Sequence, residues 1–592
     1  MALVTLTIND KIVTAEEGTT IFEAAKQNNI LIPHFCYLEN VHQIGSCRIC
    51  VVEVEGARNL MASCVSEVKG GMVVHTNTSK VRKVRKVLYE LILSDHPKNC
   101  LGCHRNLNCE LQDLGEQIQI SEFRFEGVKS KDVVDSTSPS IVRDSSKCIL
   151  CRRCVTVCNE IQGIGVMNPH HRGFATFIGP SEDESLGHSI CTNCGQCILV
   201  CPVGALKEQD STQQVWDALL DPSKTVVVQT APAVRVALGE KFGFPAGTIV
   251  TGKMASSLRE LGFDYVFDTN FAADLTILEE GSEFLKRVKE RFTSPEGSVL
   301  PMITSCSPGW IKYVEHQFPE ELDHLSSCKS PHMMLGALIK TYFAEKIKVD
   351  PKDIVVVSVM PCTAKKFEIT RPEMESNGFR NVDAVLTTRE LARMIKDAGI
   401  EFSELPDSEF DAPLGLSSGA ADIFGTTGGV MEAAIRTVYE LVTGRELPME
   451  ELHVKPLVGL KQIKTADLLI ENPVPDYAFL DGVTVKVAVT SGLKGASKLM
   501  EEIRLGTSPY HFIEVMGCPG GCISGGGQPR PINNTVRMKR LEAIYREDEG
   551  KVLRKSHQNE DLMKLYREFL GHPLGHTSHE LLHTTYVKRK KN

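Results

Sequence analysis

The residues that most directly indicate chemistry in this sequence are its cysteines. The chain of 592 residues contains 20 of them, and several lie only two or three residues apart. Thiolates at such intervals are soft metal ligands, whereas a secreted chain would use its cysteines for disulfides. The first ten residues alternate apolar and polar types like a strand and lack the features of a signal peptide. We therefore predict a cytoplasmic protein whose cysteines bind metal.

Two runs of cysteines share the spacing C-x2-C-x2-C-x3-C, and Pro202 follows the second run. This spacing is typical of bacterial two-cluster 4Fe-4S ferredoxins, in which the fourth cysteine of each run ligates the other cluster. Asn159 stands where a proline often follows the first run, a departure that leaves the ligands unchanged. The predicted ligand sets are Cys148, Cys151, Cys154 and Cys201 for one cluster, and Cys191, Cys194, Cys197 and Cys158 for the other.

A third set of cysteines has longer gaps, in the pattern C-x10-C-x2-C-x13-C. Two close and two distant cysteines are typical of plant-type 2Fe-2S ferredoxins. The alternative is a zinc ion, because zinc accepts the same four-cysteine donor set. The predicted ligands of the 2Fe-2S cluster are Cys36, Cys47, Cys50 and Cys64.

A fourth set combines one histidine with three cysteines in the pattern H-x3-C-x2-C-x5-C. A lone histidine is more often structural, but three cysteines directly after it favour ligation of a 4Fe-4S cluster. A neutral imidazole leaves the cluster less negative than a fourth thiolate would, which should raise its reduction potential. The predicted ligands are His96, Cys100, Cys103 and Cys109. Together the four sets predict one 2Fe-2S and three 4Fe-4S clusters, which would conduct electrons toward the rest of the chain.

The elements that must position these ligands change character along the chain. Residues 3–10, 21–29 and 50–56 have the patterns of a strand, a helix and a strand, which suits a β-grasp ferredoxin, and 81–93 is periodic like a helix. From Lys224 onward, buried strands at 225–234, 353–362, 483–492 and 511–518 alternate with helices such as 330–347 and 388–398. This alternation predicts an α/β domain with its sites at the carboxyl ends of the strands.

The predicted fold class is therefore multidomain, mixing α+β and α/β parts. The predicted domains are a 2Fe-2S ferredoxin-like β-grasp domain at 1–79, a one-histidine, three-cysteine 4Fe-4S domain at 80–126, a two-cluster ferredoxin-like domain at 127–210 and a catalytic α/β domain at 211–592.

The five remaining cysteines lie in that last domain, mostly at or near predicted strand ends and close to glycine and proline. They occur in the segments TSCSPGW, SSCKSP, MPCTAKKFE and EVMGCPGGCISGGGQP, as Cys306, Cys328, Cys362, Cys518 and Cys522. Glycine and proline at such positions indicate backbone packed tightly around a cofactor. An isolated cysteine is usually a buried free thiol, and this remains a fair interpretation for Cys328.

Three of these segments resemble the signature segments of the iron-only (FeFe) hydrogenases. The resemblance covers essentially the whole chain, because the accessory-cluster motifs also match the larger clostridial-type members in order and spacing. It implies that 211–592 is an H-cluster domain. The H-cluster consists of a 4Fe-4S cubane joined through a cysteine to a diiron centre with carbonyl, cyanide and bridging dithiolate ligands.

The resemblance also implies roles for individual residues. The implied cubane ligands are Cys362, Cys518 and Cys522, with Cys522 bridging to the diiron centre. The implied proton path consists of Cys306, Glu280, Glu283, Ser326 and Arg287. Lys365 is implied to pair with a cyanide, and the other residues implied to enclose the diiron centre are Ala231, Pro232, Ala233, Met360, Met516 and Phe424. Without the resemblance, the two glutamates would be an ordinary helix face and the methionines ordinary core.

One position departs from the family pattern at the cubane. The commonest first segment has two adjacent cysteines, and Ser307 stands in place of the second, which is a cubane ligand. The fourth donor is then Ser307 itself, Cys306 or Cys328, and these alternatives stay open. His332, where glutamine is common near a diiron carbonyl, and Gly517, where alanine is common, are milder departures.

The implied activity is the reversible conversion of protons and electrons to H2. The implied partners are ferredoxin or a similar carrier, NAD(P)H-oxidising flavoprotein subunits of a complex, and maturation proteins for the diiron site. The chain shows no dinucleotide-binding fingerprint, no bilayer-spanning apolar run and a net charge of -9, so we expect neither membrane insertion nor nucleic-acid binding. One alternative is a redox sensor or electron-transfer subunit that lost turnover through Ser307. A second alternative is a quinone- or NADH-linked module like the large iron-sulfur subunit of respiratory complex I. The three C-terminal signature segments argue against this alternative.

Overall fold

The structure is a computed structural model that describes residues 2–39, 41–130, 132–181, 184–294, 298–447, 453 and 459–589. The chain forms two compact units. The N-terminal unit comprises Met1–Glu160, Gly165–Ser189 and Val200–Lys207, and the C-terminal unit comprises Ile161–Ile164, Ile190–Leu199 and Glu208–Asn592. Among the described residues, none of the helices has the length and apolar character that crossing a membrane requires.

The N-terminal unit begins with a mixed sheet in the order β2-β1-β5-β3-β4. Its strands are β1 (Leu3–Ile8), β2 (Lys11–Glu16), β3 (Val51–Val54), β4 (Met61–Ala62) and β5 (Val73–His75). β1 pairs antiparallel with β2 and parallel with β5. Helix α1 (Ile21–Gln27) packs on this sheet through Ile21 and Phe22, and the Thr20 side chain caps it by accepting a hydrogen bond from the Glu23 amide. This arrangement is the predicted β-grasp fold.

The rest of the N-terminal unit consists of short elements that present cysteine-bearing loops. The elements that follow in this unit are α2 (Ser79–Ser94), α3 (Glu110–Gln117), β6 (Val134–Asp135), β7 (Ile141–Asp144), α4 (Arg153–Thr156), β8 (Asn168–His170), β9 (Phe177–Gly179) and β10 (Leu206–Glu208). α5 (Gln196–Val200), which precedes β10 in the chain, belongs to the C-terminal unit up to Leu199. A small sheet has the order β10-β7-β6, and β8 pairs antiparallel with β9. The helix predicted at 81–93 is confirmed as α2.

The C-terminal unit contains two four-stranded sheets. Its strands are β11 (Thr225–Thr230), β12 (Tyr265–Asp268), β13 (Met302–Ile303), β14 (Ile354–Met360), β15 (Glu375–Ser376), β16 (Phe379–Arg380), β17 (Ala384–Thr387), β18 (Ile463–Leu469), β19 (Thr484–Ser491) and β20 (Phe512–Met516). The first sheet has the order β12-β11-β14-β17 and is entirely parallel. The second has the order β13-β20-β19-β18, with β18 alone antiparallel to its neighbour.

Helices cover both sheets of this unit. They are α6 (Thr212–Leu219), α7 (Thr251–Glu260), α8 (Thr269–Thr293), α9 (Pro308–Gln317), α10 (Pro331–Leu338), α11 (Ala344–Ile347), α12 (Ala364–Glu368), α13 (Thr388–Asp397), α14 (Gly419–Asp422), α15 (Gly429–Thr443), α16 (Leu493–Arg504), α17 (Asn534–Gly550), α18 (Glu560–Leu565) and α19 (His576–Leu582). The helix predicted at 330–347 is confirmed, although a wider turn at Ile339–Phe343 joins α10 to α11. α8 is 25 residues long, and buried residues occupy most of its length.

Buried β-branched residues explain why the strands of the first sheet run as continuous apolar segments. Val226, Val227 and Val228 of β11 are each 2% exposed or less, because helices cover both faces of this parallel sheet. The predicted strands at 225–234, 353–362, 483–492 and 511–518 are confirmed as β11, β14, β19 and β20. β11 ends four residues before its predicted segment does, β14 and β20 two residues before, and β19 one residue before. The remaining residues after β11, β14 and β20 turn into the loops that carry the candidate site.

Candidate active site

Three cysteines follow the carboxyl ends of strands in the C-terminal unit. Cys362 lies two residues after β14, Cys518 two residues after β20 and Cys306 three residues after β13. Cys522 begins a short helical turn in the glycine-rich loop after β20. The α/β prediction that the site lies beyond the carboxyl ends of the strands is thus met for this set of thiols.

The thiols of Cys362, Cys518 and Cys522 lie close enough to interact electrostatically, with Cys518 buried and the other two partly buried. Burial raises the pKa of all three, that of Cys522 to about 12, and the proximity of the other thiols raises those of Cys518 and Cys522 further. Three thiols this close together and largely shielded from water can ionise together only beside a strong positive charge. Their number and donor type therefore fit the binding of an iron-sulfur cluster.

The backbone of the glycine-rich loop packs so closely against neighbouring backbone that it has no room for side chains at two positions. A Cβ atom at Gly525 would lie 2.2 Å from the carbonyl oxygen of Pro361, and one at Gly526 would lie 2.4 Å from that of Cys194. Larger residues would push the loop away from Cys362 and from the Cys191–Cys197 segment. The Gln196 amide also donates a hydrogen bond of 2.9 Å to the carbonyl of Ser524, so this segment packs directly against the loop.

Ser307 and Cys328 have different surroundings. The Ser307 Oγ atom accepts a hydrogen bond of 3.2 Å from the backbone amide of Gly517, the residue before Cys518. The Cys328 thiol instead lies 4.0 Å from a carboxylate oxygen of Glu283. Burial raises the pKa of Cys328 well above its usual range, and the nearby Glu283, Glu280 and Glu279 raise it further. Ser307 therefore lies beside the backbone that leads into Cys518, whereas Cys328 lies among carboxylates.

Lys365 belongs to a buried polar network beside Cys306. Its Nζ atom donates to the carbonyl of Cys306 at 3.1 Å and to Glu368 Oε2 at 2.8 Å. Nε2 of His332 lies 2.8 Å from the same carboxylate oxygen. Burial would raise the pKa of Glu368, but the charge of Lys365 and the hydrogen bonds from His332 and Lys365 outweigh burial and lower the pKa to about 2. Burial lowers the pKa of His332 to about 4, so its imidazole is neutral at pH 7.

Apolar residues form the neighbouring surfaces. Met360 and Met516 are the last residues of β14 and β20, two residues ahead of Cys362 and Cys518, and both are 3% exposed. Ala231, Pro232 and Ala233 directly follow β11, where the amide of Ala231 bonds to the Val359 carbonyl. Phe424 is also buried, and its core cluster contains Ala233 and Met516. These side chains provide a dry environment in which electrostatic interactions are strong.

A string of polar side chains leads away from Cys306. Glu280 lies close enough to the Cys306 thiol to raise the pKa of that thiol, and it hydrogen-bonds to Ser326. Burial raises the pKa of Glu280 to about 8. Ser326 Oγ donates to Glu283 Oε2 at 2.9 Å, and Arg287 Nη2 donates to Glu283 Oε1 at 2.6 Å. The structure thus brings together all five residues that the resemblance implied for a proton path.

Sequence reasoning missed several residues around this string. Glu279 accepts hydrogen bonds from Tyr566 and Ser578, and its Oε2 atom lies 3.2 Å from Nε2 of His583. Tyr586 donates to the carbonyl of Ser326. Isolated polar residues in an amphipathic C-terminal segment give no sequence signal for these contacts, because the partners are hundreds of positions away.

The four cysteines of the predicted 2Fe-2S site lie together in the N-terminal unit. The Sγ atoms of Cys50 and Cys64 are 3.2 Å apart. Hydrogen bonds from Cys47, the larger effect, and from Cys64 lower the pKa of Cys36. Cys36 and Cys47 therefore share one site with Cys50 and Cys64. The donor set fits a 2Fe-2S cluster, and it equally accepts zinc.

His96 also lies with its predicted co-ligands in the N-terminal unit. Cys100, Cys103 and Cys109 line the same small cavity as His96. Its Nδ1 atom is buried and lacks a hydrogen-bond partner among the described residues. Burial and Lys147 lower the pKa of His96 to about 4, so the ring is neutral, as a metal ligand must be. An orphaned neutral nitrogen beside three thiols fits cluster ligation.

The two ferredoxin-type runs divide between the units. One predicted ligand set lines a single cavity in the N-terminal unit. Its thiols belong to Cys148, Cys151, Cys154 and Cys201. Of the other set, Cys191, Cys194 and Cys197 belong to the C-terminal unit, whereas Cys158 belongs to the N-terminal one. The assignment of Cys158 to that cluster stays a prediction.

Known families match the chain from end to end. Residues 224–526, just over half of the chain, match the iron only hydrogenase large subunit, C-terminal domain, and residues 534–589 match the iron hydrogenase small subunit. The chain belongs to the iron-only hydrogenases. This hydrogenase is therefore an oxidoreductase of the FeFe class, as the resemblance implied, and its fold supports an H-cluster.

The N-terminal part of the hydrogenase matches cluster-binding families. Residues 1–79 match a 2Fe-2S iron-sulfur cluster binding domain, and residues 85–124 match the NADH-ubiquinone oxidoreductase-G iron-sulfur binding region. Residues 138–207 match the ferredoxin-like domain of NADH-quinone oxidoreductase subunit 3. The prediction of 2Fe-2S and 4Fe-4S domains ahead of the hydrogenase domain is confirmed, whereas the number of clusters and the domain boundaries stay predictions.

Individual relatives extend over the full chain. The hydrogenase is 49% identical to the NADP-reducing hydrogenase subunit HndD of Solidesulfovibrio fructosivorans, with 100% of each chain covered. It is 41% identical to iron hydrogenase 1 of Clostridium pasteurianum over 99% of this chain and 100% of that protein. A solved structure of an apo FeFe hydrogenase HydA1 variant from Chlamydomonas reinhardtii matches with a TM-score of 0.58 and 44% identity, over 64% of this chain and 99% of that one.

Proposed function

We propose that this hydrogenase reversibly reduces protons to H2 at an H-cluster, with electrons relayed through its accessory iron-sulfur clusters. The proposal rests on the position of three neighbouring thiols, one buried and two partly buried, close to a string of proton-carrying groups that begins at Cys306. A proton-reducing site needs both an electron supply and a relay to water, because protons cannot cross an apolar core unaided. When bound, the H-cluster would supply the open iron position at which H2 forms or splits.

Cys362, Cys518 and Cys522 would hold the cubane, with Cys522 as the bridge to the diiron centre. For the fourth donor the geometry favours Ser307, because its hydroxyl lies beside Gly517 and hence beside Cys518. Cys328 faces Glu283 instead, and Cys306 faces Glu280, so each has a neighbour that suits another role. An oxygen donor at Ser307 would leave the Cys306 thiol available for proton transfer.

The proton route would run from Cys306 through Glu280, Ser326 and Glu283 to Arg287 at the surface. Glu280 is the key intermediate, because a carboxyl group with a pKa of about 8 holds a proton at pH 7 and can release it to a neighbour. The Ser326 hydroxyl bonds to Glu283 at 2.9 Å and hydrogen-bonds to Glu280, so it can pass a proton between the two carboxylates.

Lys365 would hold the diiron centre by pairing with an anionic cyanide ligand. Its charge is already oriented by Glu368 and by the Cys306 carbonyl. The Ala231–Ala233 turn, Met360, Met516 and Phe424 would enclose the same group with apolar contacts. His332, bound on both sides to Glu368 and Ser358, would contribute a neutral ring to the wall.

Electrons would reach the cubane through one 2Fe-2S and three 4Fe-4S clusters. The last step would lead from the Cys191–Cys197 segment, which packs against the glycine-rich loop, to Cys518. The full-length likeness to a subunit of an NADP-reducing hydrogenase supports a complex with NAD(P)-linked flavoprotein subunits. Ferredoxin is the alternative electron carrier, maturation proteins would install the diiron site, and we propose the cytoplasm as the location.

The test is H2 evolution from reduced viologen by anaerobically purified, maturated protein. The wild-type protein should evolve H2, and Cys306→Ala should lower the rate on the order of a hundredfold or more, because it removes the innermost proton carrier. The infrared bands of the diiron ligands should persist in Cys306→Ala, which separates lost proton transfer from a lost cofactor.

Ser307 favours a second candidate function, a redox sensor or electron-transfer subunit with little turnover. Wild-type protein that shows the infrared bands but evolves no H2 would support that function. Measurable turnover in the wild type, with its loss in Cys306→Ala, would exclude it.

A further inference from the structure

A buried cluster of three different metal-ligand types lies beside the string that leads from Cys306. A carboxylate oxygen of Glu283, the thiol of Cys328 and a ring nitrogen of His583 all lie within 4.8 Å of one another. All three residues are buried, with exposures of 7%, 1% and 5%. Only Glu283 has a place in the proposed function.

The fold fixes this cluster by backbone pairing. The C-terminal segment lies along residues 326–329, where the amide of Lys329 bonds to the Leu582 carbonyl and the amide of Thr584 to the Ser327 carbonyl. This pairing sets Cys328 opposite His583. α8 supplies Glu283, whose carboxylate accepts a hydrogen bond of 3.1 Å from the Ser327 amide. Three separate segments of the chain therefore deliver one donor each to the same point.

The ring of His583 is held in place from both sides. Its Nδ1 atom lies 2.8 Å from Ser327 Oγ and its Nε2 atom 3.2 Å from Glu279 Oε2. A metal ion bound at one nitrogen would replace the hydrogen bond that this nitrogen makes, and the hydrogen bond of the other nitrogen would orient the ring, as it does in metal-ligating histidines. The exposed ring of His579 stacks on His583 with the centroids 4.8 Å apart, so the cluster lies one side chain below the surface.

We infer that Glu283, Cys328 and His583 form a binding site for a divalent cation of the zinc class, and that its occupation stops proton transfer. The inference rests on the proposed function for the role of Glu283. Thiolate, imidazole and carboxylate together are the donors that zinc prefers, whereas calcium and magnesium prefer oxygen alone. A cation at this point withdraws the Glu283 carboxylate from Ser326, which donates to the same oxygen atom that lies nearest to Cys328.

The proposed site consists of Glu283, Cys328 and His583, and the neighbouring exposed His579 is not part of it. His583→Gln removes a donor while preserving the size of the side chain. His579→Gln is the matched control, because that ring lies directly against His583 but outside the three-donor set. Cys328→Ser tests the sulfur donor without relying on turnover.

The experiment adds zinc to the reduced, maturated holoprotein and measures zinc-edge X-ray absorption and H2 evolution in parallel. The wild type should bind zinc with one sulfur at about 2.3 Å and nitrogen or oxygen at about 2.0–2.2 Å. The sulfur should disappear from the zinc shell in Cys328→Ser. His583→Gln should bind zinc at least about tenfold more weakly, and His579→Gln should bind it as the wild type does.

In the activity arm, zinc should slow H2 evolution on the order of a hundredfold in the wild type and in His579→Gln, but not in His583→Gln at the same concentration. A zinc shell of several sulfurs, which indicates a displaced cluster, would overturn the inference. So would equal zinc affinity in His583→Gln and the wild type. Wild-type protein that binds zinc as expected but has no H2 activity would leave the zinc site standing and refute the proposed function instead.

Discussion

The backbone amide of Gly517 donates a hydrogen bond of 3.2 Å to the hydroxyl of Ser307. A Cβ atom at position 517 would lie only 2.8 Å from that hydroxyl oxygen. A side chain at position 517 would therefore collide with the Ser307 hydroxyl, so Ser307 keeps its present position only beside a glycine. Both are departures from the commonest sequence of the iron-only hydrogenases, and together they keep an oxygen atom next to Cys518.

Replacing Ser307 by cysteine should add a fourth sulfur donor at the cubane. Thiolate binds iron of this type more readily than a hydroxyl does, so Ser307→Cys should retain the cluster and change its reduction potential. Iron-edge X-ray absorption and redox titration followed by electron paramagnetic resonance would measure both effects. Ser307→Ala is the comparison, and cubane spectra identical in all three proteins would contradict ligation at this position.

Replacing Gly517 by alanine should disturb the same site by crowding. The new methyl group must move Ser307 Oγ by several tenths of an ångström, which weakens any bond that this oxygen makes. Gly517→Ala combined with Ser307→Cys should behave differently from the sum of the single changes, because residues in contact are not additive. A double-mutant cycle on the cubane potential measures the coupling, and strict additivity would show that the two positions act independently.

Replacing Glu280 by glutamine should abolish proton transfer without destabilising the fold. The folded-state pKa of about 8 lies above the unfolded value, so the buried carboxyl is neutral in the folded protein at pH 7 and the wild type loses stability as pH rises from the unfolded pKa towards 8. An uncharged amide avoids this loss. H2 evolution should fall on the order of a hundredfold or more, while the melting temperature at pH 7 stays equal or rises.

The control for this change is Lys289→Gln, an exposed position on the same helix α8. It should leave both rate and melting temperature unaltered. Comparable activity in Glu280→Gln and Lys289→Gln would remove Glu280 from the route. In the wild type, H2 evolution should also decline as the pH rises through about 8, because Glu280 then loses the proton that it donates.

Replacing Lys365 by methionine should prevent retention of the diiron centre. The change removes the Lys365 cation and leaves the Glu368 carboxylate with two hydrogen-bond partners, the His332 ring and the Ser330 hydroxyl. The infrared bands of the diiron ligands should weaken or vanish while the accessory clusters remain. The same change at Lys366 is the comparison, because this neighbouring lysine pairs with Glu390 at 3.0 Å instead. Full bands in Lys365→Met would contradict the assigned cyanide contact.

Replacing His96 by cysteine should lower the potential of its cluster. A thiolate brings a negative charge where the neutral imidazole brings none, and added negative charge stabilises the oxidised cluster. Redox titration with electron paramagnetic resonance detection should show one accessory signal shifted to more negative potential and the others unmoved. An unshifted set of signals would mean that His96 is structural.

The sequence predicted most of the elements and the ligand chemistry, because both are encoded locally. The parallel strands β11 and β14 were recognisable from runs of buried valine, and the thiol sets from fixed short intervals. The contacts that define the site are not local. The pairing of Cys328 with His583 joins positions 255 residues apart along a segment without a motif, and the closeness of Ser307 to Gly517 follows from the neighbouring strands β13 and β20. Such proximity results from tertiary packing, which spacing within a motif does not encode.

An infrared spectrum of the anaerobically purified, maturated protein is the most direct test for the H-cluster. Metal-bound carbonyl and cyanide absorb in a window where proteins do not, so a set of sharp bands is expected there, and these bands should shift when H2 is added. A spectrum without those bands, from protein whose accessory clusters are present, would contradict the claim that Cys362, Cys518 and Cys522 hold an H-cluster.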